Sequence, residues 1–171
     1  FIDKHMDSIS SETVDSIIEI NKKFNLEIRD DELPRNIHWR PVNLKFDNLF
    51  SYGASNEIDF ASMSGLYGLF ASNASGKSSA FEAMTFALYD KTPRAYKGNH
   101  IMNTRKDTMY CRLEFMIDDT TYVIERKGSR KTTGEVKVDV DFYQVVGDQR
   151  IWLNGESRRD TNVNIRTYVG T

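Results

Sequence analysis

The amino-acid sequence predicts an α/β fold, with mixed and antiparallel strands arranged around a central helix. Three observations lead to this prediction. Segments of alternating apolar and polar residues, typical of half-buried strands, occur both early and late in the 171-residue chain. Residues 65–71 form a mostly apolar run without alternation, the pattern of a strand covered on both faces. A loop of small residues and a segment of helical periodicity follow this run directly.

Composition and charge limit the class of protein. Hydrophobic residues make up 39% of the chain and charged residues 28%, which is enough apolar material for a core and excludes wholesale disorder. The net charge of -2 excludes a protein that is basic over its whole surface, so any nucleic-acid contact must come from a local patch or from parts outside this chain. One cysteine, Cys111, excludes an internal disulfide, and three scattered histidines give no metal-binding spacing.

The sequence shows neither a membrane-spanning segment nor a signal peptide. No apolar run approaches the length needed to cross a bilayer, and no signal-peptide pattern opens the chain. We therefore expect a protein of the reducing cytoplasm. Because the chain begins with Phe1 and its last residues do not resemble a natural tail, we also expect it to be a piece of a longer protein.

Two parts are predicted along the chain. Residues 1–40 are expected to form a helical extension and a linker, with an amphipathic helix over 11–29. Pro34 prevents that helix from continuing. Residues 41–171 are expected to form the main domain, because the apolar period changes from that of a helix to that of a strand at its start.

The elements of the main domain follow from periodicity. Before the loop we expect a half-buried strand at 42–46, a turn at 51–53 and a short returning strand at 57–60. The basic run 127–131 is predicted to be a solvated hairpin tip. After the loop we predict, in chain order, a helix at 78–89, an irregular polar stretch at 90–108, strands at 109–117, 120–126, 136–142 and 150–153, and a last helix from about residue 160.

The loop at residues 71–78, Ala-Ser-Asn-Ala-Ser-Gly-Lys-Ser, matches the P-loop pattern G-x-x-x-x-G-K-[ST] except at its first position. A loop between a strand and a helix can direct consecutive backbone N–H groups at one phosphate, aided by the helix N-terminus. Gly76 lets the backbone approach where a side chain would collide. Lys77 supplies an ammonium group for the β- and γ-phosphates, and Ser78 places a hydroxyl on Mg²⁺.

This pattern predicts a site for ATP and Mg²⁺. A Gly-Lys-Ser tripeptide alone occurs often by chance, but here a strand is predicted to enter the loop and a helix to leave it, as the chemistry requires. Ala71 stands where the pattern has glycine, which can strain the loop and reduce affinity, and Ala74 raises the same question one turn later. The predicted nucleotide-binding residues are Asn73, Ala74, Ser75, Gly76, Lys77, Ser78 and Ser79, and Ser78 is also the predicted metal ligand.

The order of several motifs resembles that of SbcC-type ATPases, SMC-like DNA-repair proteins that include phage recombination-endonuclease large subunits. Residues 44–53 and 58–60 resemble the start of these proteins, and residues 72–79 resemble their Pro-Asn-Gly-Ser-Gly-Lys-Ser-Ser loop. The helix segment 83–89 is similar to theirs, and residues 122–126 resemble their Tyr-x-Ile-x-Arg strand. The resemblance covers about residues 41–171.

The resemblance implies the N-terminal lobe of an ABC-type ATPase head. The complete protein would then be an ATPase acting in DNA end processing, repair or recombination. Its implied partners are a second copy of the head, which dimerises around ATP, an SbcD-type nuclease subunit, and DNA, but no membrane. The implied location is the cytoplasm of a bacterium or an infected cell. Because the family carries its Walker B acid and signature segment further along, the chain alone is expected to be inactive.

Three alternatives remain open from the sequence. A compact P-loop kinase or GTPase would need alternating β and α units after the loop helix, where strands are predicted instead. A transporter-type ATPase would place its glutamine loop sooner after the P-loop. A degenerate, non-hydrolysing interaction module is kept open by Ala71 and Ala74. A nucleotide-binding assay separates this last alternative from the others.

Side chains outside the loop are mostly predicted to be solvated or to lie in the core. Arg94, Lys97 and His100, in the stretch after the loop helix, are expected to be solvated, although the resemblance implies a loop near the nucleotide here. Phe50 stands where many members of the resembled family carry a basic residue near the nucleotide. Cys111 is expected to lie in the core, because no histidine partner for a nucleophile is suggested.

Overall fold

The computed structural model describes residues 38–73 and 75–170, together with Ser16. The chain divides into two units, Phe1–Asn36 and Ile37–Thr171, and the second unit contains all the elements described below. The helix predicted at 11–29 lies outside the described residues except for Ser16. Of the predicted extension and linker at 1–40, residues 38–40 are also described, and β1 already begins at Trp39. That division of the chain therefore stays a prediction.

Six strands and three helices make up the described part of the chain. The strands form one sheet in the order β2-β1-β3-β4-β5-β6, and every neighbouring pair is antiparallel. The α/β class is thereby confirmed, while the described residues contribute no parallel pair to the predicted mixed sheet. In chain order the elements are β1 Trp39–Asp47, β2 Asn56–Asp59, α1 Lys77–Tyr89, α2 Gly98–Ile101, β3 Thr108–Ile117, β4 Thr120–Arg130, β5 Val136–Val146, β6 Gln149–Trp152 and α3 Arg158–Val169.

Alternation of side chains determines which face of the sheet is buried. In β3, Cys111, Leu113 and Phe115 are fully buried, whereas the residues between them are partly exposed. This confirms the prediction that Cys111 is a core residue, and burial raises the pKa of its thiol to about 12. A two-residue turn joins β3 to β4, as predicted, with Asp118 in the left-handed region at φ 51°.

Helices α1 and α3 also contribute side chains to the core. Ala83, Phe86 and Ala87 of α1 are fully buried, as is Ile165 of α3. They belong to the same apolar cluster as the inward side chains of the central strands. Burying a side chain as large as Phe86 contributes about 1.5–3 kcal/mol to folding, so the sheet holds α1 firmly.

The strand predicted at residues 65–71 is not formed. Residues 65–71 have no strand pairing in the structure, and the side chains of Leu66 and Phe70 are 101% and 92% exposed. A strand buried on both faces needs hydrogen-bonded neighbours as well as apolar side chains, and no described strand runs beside this segment. The prediction was wrong because it depended on apolar composition alone.

The basic run 127–131 is not a hairpin tip either. Strand β4 continues to Arg130, and Lys127 pairs with Asp139 of β5, so that opposite charges face each other. Gly128, within this run, packs against Met109, whose side chain would be 2.5 Å from a Cβ at that position. The turn comes later, at Gly134, whose φ of 82° requires glycine.

Candidate nucleotide-binding site

The predicted P-loop leads into the N-terminus of α1. Gly76 precedes the first helical residue with φ 94° and ψ 8°, a conformation that glycine adopts without strain. A Cβ at Gly76 would also lie 3.3 Å from both the Ser51 hydroxyl oxygen and the Tyr52 ring. Backbone conformation and close packing therefore both require glycine here.

The first turn of α1 keeps its backbone N–H groups available. Among the described residues no side chain caps the helix start, and its first turn contains no acidic residue. The first amides of a helix have no partner within the helix, and together they carry a partial positive charge. This end of α1 is therefore suited to bind an anion.

Lys77 folds back over the loop from which it emerges. Its ammonium nitrogen donates to the backbone oxygens of Ala71, at 2.5 Å, and Ser72, at 2.6 Å. The charge therefore lies above the loop, beside the helix start, and both acceptors are neutral. A phosphate oxygen is a stronger acceptor for an ammonium group than a carbonyl oxygen is.

A cavity of about 320 Å³ opens at this position. It brings together six of the seven predicted binding residues, while Ala74 lies outside the described residues. Arg94 and Ser51 also line it, although they are distant from the loop in sequence. The lining residues are Ser51, Asn73, Ser75, Gly76, Lys77, Ser78, Ser79 and Arg94.

Tyr52 supports the loop from below, a role that no sequence motif indicated. Its hydroxyl donates to the backbone oxygen of Gly76 at 3.1 Å, and its ring meets that of Phe46 edge-on at 5.1 Å. Asn103 in turn donates to the backbone oxygen of Tyr52. Phe50, two residues before Tyr52, has φ 53°, packs against the core and does not line the cavity. Ser51 therefore faces the site instead of Phe50.

The far end of α1 is fixed by a buried arginine. Arg126 of β4 is fully buried, and its Nε donates to the backbone oxygen of Ala87 at 2.8 Å. One terminal nitrogen donates to Asn162 at 2.8 Å, and the other forms an ion pair with Asp90 at 3.1 Å. Burial lowers the pKa of Arg126 to about 10, against the opposing effect of Asp90. Sheet, α1 and α3 therefore meet at one charged group.

The described residues do not provide a metal site of their own. No group of three or more histidine, cysteine, aspartate or glutamate side chains that could hold a metal ion is found among them. The hydroxyl of Ser78 at the cavity is a suitable oxygen ligand for Mg²⁺, which protein sites often bind through one or two side chains together with substrate phosphates. The residues present therefore fit a metal ion that arrives with a nucleotide.

Comparison with known proteins places the fold and the site in context. Residues 43–167 match the family described as AAA domain. The chain is 38% identical over 77% of its length to the C subunit of nuclease SbcCD from Bacillus subtilis, and 30% identical over 74% to "DNA double-strand break repair Rad50 ATPase" of Methanococcus maripaludis. It is 31% identical over 95% of its length to an uncharacterised protein of Acanthamoeba polyphaga mimivirus.

The chain is much shorter than these relatives. It spans 12%, 11% and 13% of their respective lengths. Within the part of the chain that the structure describes, no helix has both the length and the apolar character needed to cross a membrane.

Proposed function

This chain belongs to the AAA-domain family of SbcC-type DNA-repair ATPases, and we propose that it forms the ATP-binding N-terminal lobe of an ABC-type head. One observation carries the proposal. The uncapped start of α1, the left-handed Gly76 and the ammonium group of Lys77 converge on one open cavity. A doubly wound kinase or GTPase is not favoured, because every described strand pair is antiparallel.

In the proposed site, each group has a separate task. The free amides at the start of α1 donate to phosphate oxygens, and Lys77 exchanges its two carbonyl acceptors for charged ones. The hydroxyl of Ser78 would hold Mg²⁺, which when bound would neutralise part of the phosphate charge. Tyr52 holds Gly76 in place, so the amides stay directed at the cavity.

Hydrolysis is proposed to need groups outside this chain. No carboxylate is present among the described residues that line the cavity, so none of them offers a carboxylate base for an attacking water. We therefore propose that the chain binds ATP but hydrolyses almost none, and that the complete protein is the active ATPase.

The wider role is proposed from the relatives. One is named as part of a nuclease and another as an ATPase of DNA double-strand break repair. By extension, the complete protein would pair with a second head through shared ATP and control an SbcD-type nuclease subunit at DNA ends. Its proposed location is the cytoplasm of a bacterium or an infected cell, in keeping with the mimivirus relative.

Isothermal titration of Mg-ATP into the chain tests the proposed site. Removing the ammonium in Lys77→Ala should weaken binding by about 1.5–3 kcal/mol, because a hydrogen bond to a charged group is lost. Lys106→Ala, which removes an exposed ammonium outside the cavity lining, is the matched control and should bind like the wild type. Equal affinities of the wild type and Lys77→Ala would rule out the proposed P-loop contact.

A further inference from the structure

We propose that Arg94 is a second phosphate-binding cation at this cavity and that Glu82 positions it. The inference rests on the proposed nucleotide site and adds a residue pair that lies outside the P-loop motif. Arg94 comes from the segment between α1 and α2, and Glu82 from the middle of α1. The two are joined by an ion pair at the edge of the cavity.

The first step concerns the free part of the arginine. Nε of Arg94 donates to Oε1 of Glu82, whereas its two terminal nitrogens make no hydrogen bond to any described residue. The side chain is 61% exposed, and it lines the same cavity as Lys77. A guanidinium held at Nε thus still presents a pair of N–H donors, the arrangement that binds two phosphate oxygens at once.

The second step concerns the glutamate. The side chain of Glu82 is only 12% exposed, and its second oxygen, Oε2, is buried without a hydrogen-bond partner among the described residues. Burying an unsatisfied carboxylate oxygen costs free energy. An exposed arginine does not need a buried carboxylate as its partner. The cost of burying Glu82 is explained if Glu82 fixes the orientation of the Arg94 side chain.

The third step concerns charge. Lys77 and Arg94 are the two cations of the cavity lining, and no described carboxylate lines it. Glu82 does not line the cavity, and its hydrogen bond and its charge raise the pKa of Arg94, whose guanidinium is charged at neutral pH in any case. A polyphosphate carries several negative charges, and two cations on one cavity match it better than Lys77 alone.

Mg-ATP titrations of matched variants test the pair. Arg94→Gln should weaken binding about tenfold or more, because a charge-assisted contact is lost. Arg94→Lys, which keeps the charge but loses the paired donors, should fall between Arg94→Gln and the wild type. Arg105→Gln removes an exposed guanidinium that does not line the cavity, and it should leave affinity unchanged.

A double-mutant cycle tests the role of Glu82. Glu82→Gln should weaken binding in the wild-type background but cause no further loss in the Arg94→Gln background, since it acts through Arg94. An equal loss in both backgrounds would overturn the positioning role. Thermal unfolding of each variant, followed by circular dichroism, shows that the comparison is made between folded proteins.

The outcomes separate this inference from the proposed function. If the wild type binds, Lys77→Ala does not and Arg94→Gln binds like the wild type, the P-loop site stands and the second cation is overturned. Absence of binding by the wild type overturns both proposals for this chain. Loss of binding in both Lys77→Ala and Arg94→Gln, with Arg105→Gln unchanged, supports both.

Discussion

The two long helices of the described domain begin in opposite ways. Helix α3 starts with a capping box: Ser157 accepts from the backbone N–H of Asp160, whose carboxylate accepts from the backbone N–H of Ser157. Helix α1 starts at Gly76, which has no side chain to offer, and its first turn lacks an acidic residue. One helix satisfies first amides with its own side chains, and the other has no side-chain cap for them.

The comparison shows where this fold gives up helix stability. A side-chain N-cap is worth about 1 kcal/mol relative to alanine but only a few tenths relative to glycine, and a carboxylate in the first turn adds a few tenths to about 1 kcal/mol. Helix α1 forgoes both contributions at its start and is held instead by its buried face and by Arg126 at its far end. Four substitutions test this contrast.

The largest effect is expected where α1 is anchored. Arg126→Met should lower the free energy of unfolding by about 3 kcal/mol, because Ala87 and Asn162 lose a buried donor. Arg112→Met, which also removes an arginine ion pair from the sheet but at a partly exposed position, is the control and should cost less than about 1 kcal/mol. Urea unfolding measures both, and similar losses would contradict the proposed anchoring.

Giving α1 the acidic first turn of α3 should separate stability from binding. Ser79 occupies the same helix position as Asp160, the third after the cap. Ser79→Asp should stabilise the helix by about 0.3–1 kcal/mol through the helix dipole. It should weaken Mg-ATP binding about tenfold, since a carboxylate then faces the phosphates.

Calorimetry and thermal unfolding of the same sample check this prediction. Ser79→Asn is the neutral control, of similar size but without the charge. Unchanged affinity in Ser79→Asp would mean that this turn of α1 does not face the phosphates.

Breaking the cap of α3 should do the reverse. Ser157→Ala should destabilise the fold by about 1 kcal/mol, because the amide of Asp160 loses its acceptor. Mg-ATP affinity should stay the same, because Ser157 lies outside the cavity lining. Urea unfolding and titration measure the two quantities, and a drop in affinity would link α3 to the site.

The smallest effect is expected at Tyr52, which supports the loop. Tyr52→Phe removes one partly buried hydrogen bond to Gly76 and should cost about 0.5–1 kcal/mol. The loss should appear mainly as weaker Mg-ATP binding, because the bond holds the turn that directs the amides. Tyr110→Phe, on a strand away from the cavity, provides the control.

Local patterns were enough for most of the fold and for the loop. Alternation predicted the strands. The P-loop pattern, followed by a helix, predicted that Gly76, Lys77 and Ser78 lie together, and all three line the cavity. The failures have a common physical cause. Residues 65–71 carry the composition of a buried strand without a described neighbour, and Gly128 serves packing against Met109 instead of a turn.

The remaining parts of the site depend on contacts between distant segments. Tyr52 reaches Gly76 across the core, and Arg94 reaches Glu82 only after the chain has reversed direction at the end of α1. Neither pair has a sequence spacing from which it could be predicted. Arg94 and Ser51 therefore appear at the cavity only once the chain is folded.

The order in which the strands pair has a consequence for folding. Strands β3, β4 and β5 each pair with the next strand along the chain, and β1 pairs with β2. By contrast, β1 joins β3 only after residues 48–107, which contain all the lining residues of the cavity. Pairing between neighbours in sequence closes short loops and is therefore fast, while the β1–β3 pairing must close a long one. The meander can thus serve as a template on which the segment with the candidate site assembles last, so that errors in that segment need not prevent the sheet from forming.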